Sequence, residues 1–260
     1  MYQCDICDKS YVWSQDLKRH VKAKHPQVQE QECPESQQQI THVLRNDRII
    51  ECDTYIFHAP TTISISGTTG SGKTTLLFEI LKHKGKLFSI PPNKIMYCYG
   101  VWQNAFEDME KEIDFHHGIP NEKDIEAFAD GKQNIIILDD LMDEVVANSQ
   151  VQHLFTRGSH HKNLTIIYIN QNMFAQGKCA RTVNLNTHYL ILLRNPRDKS
   201  QVGVLGKQIG LGRTLIEAYQ DCTSQPYGYL LVDLSPHTDA NIQLKTNIMP
   251  EEDMVVYLPQ

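Results

Sequence analysis

A chain of 260 residues suits one sizeable domain with a small module attached, and its 40% hydrophobic and 22% charged content is ordinary for a globular protein. The formal net charge of −6 excludes a generally basic nucleic-acid binder, so any such contact must be local. No apolar run approaches the roughly 20 residues a membrane helix needs. The start, Met1-Tyr2-Gln3-Cys4-Asp5, lacks the charged and apolar regions of a signal peptide, so the seven cysteines are expected reduced, in an intracellular compartment.

Residues 1–28 carry the first motif. Cys4 and Cys7 are separated by two residues, His20 follows after twelve more, and His25 after another four. That is the spacing of a two-Cys, two-His zinc finger, a small ββα unit. Tyr2, Tyr11 and Leu17 fall where its miniature core belongs. Zn²⁺ is needed because about 25 residues cannot bury enough apolar surface to fold alone. A closed tetrahedral site of this kind is structural. Docked in the usual way, the finger presents Trp13, Asp16 and Arg19 to bases: Arg19 suits guanine and Asp16 suits cytosine. Lys18, Lys22 and Lys24 suit phosphates. One finger spans only about three base pairs. DNA contact, protein docking and added stability all remain open as its role. Residues 29–41 are polar and poor in apolar side chains, and read as a flexible linker.

From residue 42 to 260, strand and helix patterns alternate, as in a mainly parallel sheet flanked by helices. Ile49 to Phe57 is an entry strand and Thr62-Ile63-Ser64-Ile65-Ser66 a second. Gly67-Thr68-Thr69-Gly70-Ser71-Gly72-Lys73-Thr74 follows, and Thr75 to Leu81 reads as a helix. Gly, four residues, then Gly-Lys-Thr is the phosphate-loop template, set between a strand and a helix N-terminus as its mechanism requires. Lys73 would reach the β and γ phosphates of ATP, and the Thr74 hydroxyl would help hold Mg²⁺.

Lys94 to Tyr99 is the next strand; Ala105 to Phe115 and Lys123 to Phe128 read as helices, with Gly118-Ile119-Pro120-Asn121 between them. His116-His117 then falls at a solvated helix end. In Asn134-Ile135-Ile136-Ile137-Leu138-Asp139-Asp140, four large apolar residues mark a strand buried on both faces. Its two acids emerge at the carboxyl end, where open α/β sheets bind ligands. Asp139 is assigned to the metal and Asp140 to the base role. Gln150 to His161 makes a helix containing Arg157, either an arginine finger for a neighbouring subunit or a surface residue. Thr165 to Gln171 is another buried strand. Its closing amides can orient water, Gln171 as first choice and Asn170 as second. His188 to Arg194 is a further strand. Helices at 198–208 and 213–221, with Gly210 and Gly212 between them, lead to a closing strand pair, Tyr229 to Asp233 and Ile242 to Thr246.

These motifs together resemble the DNA-packaging ATPases of the FtsK–HerA superfamily, of the poxvirus-like type in Polinton (Maverick) elements, adintoviruses and related large DNA viruses. The resemblance is carried by Gly67 to Thr75, Ile135 to Asp140, Phe155-Thr156-Arg157-Gly158-Ser159-His160-His161 and Ile166 to Phe174 with Gln171. Tyr189 to Asp198 and Gly228 to Leu234 add to it. It implies a P-loop NTPase that hydrolyses ATP in an oligomeric ring, expected hexameric, and drives double-stranded DNA into a capsid. It further implies that Lys73 and Thr74 serve phosphate and Mg²⁺, Asp139 and Asp140 serve metal and water, Gln171 is the polar sensor and Arg157 the trans-acting finger. The setting it implies is a host nucleus or viral assembly site, with a capsid protein as a further partner. The zinc finger is an addition to this pattern. Two other functions fit the residues: a P-loop kinase acting on a nucleoside or other small molecule, and a zinc-finger adaptor with a regulatory nucleotide site.

Overall fold

The computed structural model describes residues 2–3, 10–11, 48–51, 55–102, 106, 112–141, 151, 153–155, 162–173, 178–197 and 200–259. At the N-terminus, β1 (Tyr2–Gln3) pairs antiparallel with β2 (Ser10–Tyr11), Tyr2 facing Tyr11. Cys4, Cys7, His20, His25, Asp16, Lys18, Arg19 and Lys22 lie outside the described residues, as do the linker 29–41 and Arg157.

The rest is organised by one sheet, ten-stranded among the described residues. Its strands are β3 (Arg48–Glu51), β4 (Thr62–Ser66), β5 (Ile95–Tyr99), β6 (Asp114–His117), β7 (Asn134–Asp139), β8 (Leu164–Asn170), β9 (Tyr189–Leu193), β10 (Tyr229–Asp233), β11 (Leu244–Thr246) and β12 (Met254–Tyr257). Their order is β3-β12-β11-β10-β9-β4-β8-β7-β5-β6. Neighbours from β9 to β6 are all parallel. From β9 through β10, β11 and β12 to β3 they are antiparallel. The expected parallel core is therefore present, extended on one side by an antiparallel annex.

Every residue of β4, β7, β8 and β9 is buried, the pattern of strands covered on both faces. Period-two alternation sorts their side chains. Ile63, Ile65, Ile135, Ile137, Ile167, Ile169 and Ile191 meet Leu77, Ile80 and Leu81 of α1 (Lys73–Lys82). On the opposite face, Ile136, Leu138, Ile166 and Tyr168 pack with Ile125 and Phe128 of α3 (Glu122–Phe128) and with Leu154 and Phe155. Further along that face, Leu190, Leu192, Leu230 and Val232 meet α5 (Ser200–Gln208) and α6 (Gly212–Cys222). The short α2 (Lys84–Leu87) follows α1, and α4 (Lys178–Leu185) precedes β9. Asn121 caps α3: its side chain accepts from the Lys123 and Asp124 amides, and Asp124 accepts in turn from the Asn121 amide, a capping box. Among the described residues no helix is long and apolar enough to cross a membrane.

Three expectations are corrected. The helix read from Ala105 to Phe115 does not reach its end, because Asp114–His117 is β6, paired parallel with β5 from Met96–Asp114 to Tyr99–His117. Phe115 stacks on Phe106 at 5.2 Å and lies within an aromatic cluster including Tyr97, Tyr99 and Trp102. That packing outweighs a weak helical pattern. His116 and His117 accordingly close an edge strand, not a helix. The entry strand ends at Glu51 and sits at the far edge of the annex, while Phe57 makes a separate parallel bridge to Phe88. Beyond the expected elements, the structure adds β12, whose Met254-Val255-Val256-Tyr257 is a β-branched and aromatic run, and α4.

Candidate active site

The loop between β4 and α1 has the backbone its glycines permit. Gly70 and Gly72 hold φ of 77° and 98°, a region that L side chains rarely adopt. A Cβ at Gly67 would lie 2.7 Å from Ser71 Oγ and 2.9 Å from Leu193 Cβ. The loop is closed by Ser71 N donating to Thr68 O (3.1 Å) and anchored to β8 by Gly67 N donating to Asn170 O (3.3 Å). Lys73 Nζ donates to Gly67 O (2.8 Å) and Thr68 O (3.0 Å), which arches its ammonium over the loop. Helix α1 has no side-chain cap at Gly72 and no acid in its first turn. Its N-terminal amides and the positive end of its dipole are thus left for an anion. Ser71 Oγ is buried and finds no hydrogen-bond partner. Thr74 is half-buried and Thr75 exposed in the first turn of α1.

Across the sheet, β8 lies between the loop strand β4 and the acid strand β7, with Ser66 opposite Asn170 and Ile169 opposite Asp139. The carboxyl ends of all three strands therefore reach the same rim. Asp139 is buried and accepts a 2.5 Å bond from the Tyr97 phenol on β5. Burial raises the Asp139 carboxyl above its ordinary range; the Tyr97 bond opposes this, Asp140 adds to it and Lys73 lowers it. Asp140 is exposed at the strand end with φ 54°, and Gln171 Nε2 donates to its Oδ1 at 3.4 Å. The Lys73 ammonium is lowered by burial and held up by Asp139 and then Asp140, so one cation and two carboxylates share a single electrostatic environment. Asn170 points elsewhere: it is buried and donates to Ser64 Oγ at 3.0 Å.

Among the described residues no group of three or more His, Cys, Asp or Glu side chains is placed to hold a metal. Mg²⁺ needs less from protein, since one or two oxygen ligands complemented by substrate phosphates and water suffice. Thr74 and Asp139 are hard oxygen donors of that kind, and the orphaned Ser71 hydroxyl and uncapped helix end suit the accompanying phosphates. Tyr97 joins this site only through the fold. Its sequence signal is that of any aromatic in a buried strand.

No protein-family model matches the chain, and no curated protein matches it by sequence. Among solved structures it is similar to the DNA-packaging ATPase B204 of Sulfolobus turreted icosahedral virus, at 13% identity and TM-score 0.49, covering 73% of this chain and 98% of that one. The genome packaging NTPase B204 of Sulfolobus turreted icosahedral virus 2, in complex with sulfate, is similar at 14% identity and TM-score 0.47, covering 72% and 96%. ATPases 2 and 3 of EssC from Geobacillus thermodenitrificans are similar at 16% identity and TM-score 0.42, covering 77% and 40%.

Proposed function

We propose that the chain is an ATPase that uses Mg²⁺-dependent hydrolysis to drive double-stranded DNA translocation, as in genome packaging, within an oligomeric ring. The observation that carries the hydrolytic part is the meeting of the phosphate loop, with Lys73, and the Asp139–Asp140–Gln171 group on one rim.

Backbone amides of Gly70 to Thr74 and the α1 N-terminus would hold the phosphate oxygens, and Lys73 would exchange its loop carbonyls for the β and γ phosphates. Thr74 and Asp139 would hold Mg²⁺, which when bound neutralises charge on the β and γ oxygens. Asp140, bonded to Gln171, would accept a proton from water positioned by the Gln171 amide. The water oxygen then bonds to the γ-phosphorus as the bond to the β–γ bridging oxygen breaks, releasing ADP and phosphate. Arg157 of an adjoining subunit would stabilise the developing charge.

DNA as the track, a hexamer as the assembly and a capsid protein as partner are proposed from the family resemblance of the motifs. The N-terminal finger is proposed to bind Zn²⁺ through Cys4, Cys7, His20 and His25, and to load the motor on DNA or dock it. The β1–β2 hairpin supports that reading. The test is ATP turnover with and without double-stranded DNA, alongside the mass in solution, for the full chain and Lys73→Ala. DNA-stimulated turnover by an oligomer, abolished in Lys73→Ala, is expected. Turnover persisting in Lys73→Ala removes the phosphate-loop assignment, and turnover indifferent to DNA removes the translocase.

A further inference from the structure

We propose that Tyr227 stacks on the base of the bound nucleotide, making the site one for nucleoside triphosphates with little discrimination among bases; this rests on the phosphate-loop reading above. The geometry fixes which way a nucleotide must lie. In the order β9-β4-β8-β7, the acids and Gln171 stand on the β8–β7 side of the loop. A γ-phosphate beside them sends the nucleoside end the other way, over the ends of β9 and β10. On that side Leu193 abuts Gly67, and Thr68 Oγ1 donates to Arg194 O at 3.3 Å. Tyr229 pairs with Leu193, so Tyr227, two residues earlier, lies beyond that pair at the same rim.

The placement of Tyr227 is specific. A Cβ at Gly72 would stand 2.8 Å from Tyr227 Cδ1, so the ring lies directly on the phosphate loop. Yet Tyr227 is 70% exposed, an aromatic face left in solvent beside a candidate ligand site. It holds φ 63°, uncommon for a bulky side chain, in a turn that tolerates little adjustment. Gly228 N donates to Gln225 O at 3.2 Å, and a Cβ at Gly228 would fall 1.9 Å from Cys222 O. Stacking on an aromatic ring is sequence-tolerant because every base presents a π-face.

The test is calorimetric titration of the full chain with ATP and with inorganic tripolyphosphate, each with Mg²⁺. In Tyr227→Ala the ATP Kd should rise about tenfold while the tripolyphosphate Kd stays within about twofold. Tyr227→Phe should keep the ATP Kd within about twofold, since its ring still stacks. Equal weakening of both ligands in Tyr227→Ala would mean that the ring only props the loop, and no weakening of either would mean that it touches no base; each overturns the proposal. A wild-type chain that binds neither ligand removes the phosphate-loop reading itself, whereas binding of tripolyphosphate as tightly as ATP removes only the stacking.

Discussion

The Tyr97 phenol donates to Asp139 Oδ2 across the β5–β7 pair, at 2.5 Å and away from solvent. A hydrogen bond to the ionised form of a buried carboxyl favours that form, and here it offsets part of the burial that pushes the group up. Burial and the same carboxylate raise the Tyr97 phenol far above its usual range, so it stays a donor. Tyr97→Phe keeps the ring in its aromatic cluster and deletes only the bond. Asp139 should then titrate higher still, so the acid limb of the ATPase pH–rate profile should move to higher pH. Loss of the bond to a charged acceptor should also lower stability by about 1.5–3 kcal/mol. A pH–rate profile of the variant superimposing on wild type would mean that the phenol does not tune the carboxyl.

Asp139 carries a stability cost because burial is the largest influence on it. The folded protein holds the Asp139 proton to higher pH than the unfolded chain, so ionisation there disfavours folding. That penalty is absent below the unfolded carboxyl pKa and develops as pH rises through the raised folded value. Asp139→Asn should therefore melt higher than wild type at neutral pH without nucleotide, by about 2–4 °C for each kcal/mol recovered. The gap should close towards acid, and ATP turnover should be lost. A variant melting below wild type across the whole pH range would show that the carboxylate is net stabilising.

A buried ion pair lies within the antiparallel annex. Lys245 Nζ lies 3.5 Å from Asp233 Oδ2, both side chains 5% exposed, and Lys245 also bonds to Ile242 O. Asp233 further accepts from Tyr55 OH (2.7 Å) and Ser235 N (3.1 Å). Lys245→Met should cost about 3–5 kcal/mol, because it strands a buried carboxylate, while the double variant Lys245→Met, Asp233→Leu should recover much of that. Chemical denaturation of the three proteins measures both effects. A near-neutral single variant would show that water or rearrangement reaches Asp233.

Much of the site is local pattern and is legible in the sequence. Gly70 and Gly72 permit the positive φ found there, and the short apolar run Ile135 to Leu138, β-branched and closed by two acids, suits a strand covered on both faces. Both follow from backbone sterics and burial within a few residues. The chain alone thus determined a phosphate loop and an acid pair, each at the carboxyl end of a buried parallel strand. Only the tertiary structure decided what stands next to what. By lying between β4 and β7, β8 turns Asn170 into the sheet and Gln171 onto Asp140; it is packing that makes Tyr97 the partner of Asp139, Phe115 part of a strand and Tyr227 a lid on Gly72. Strand neighbours are chosen by side chains that interlock across tens to more than a hundred residues, and no window of local sequence records that choice.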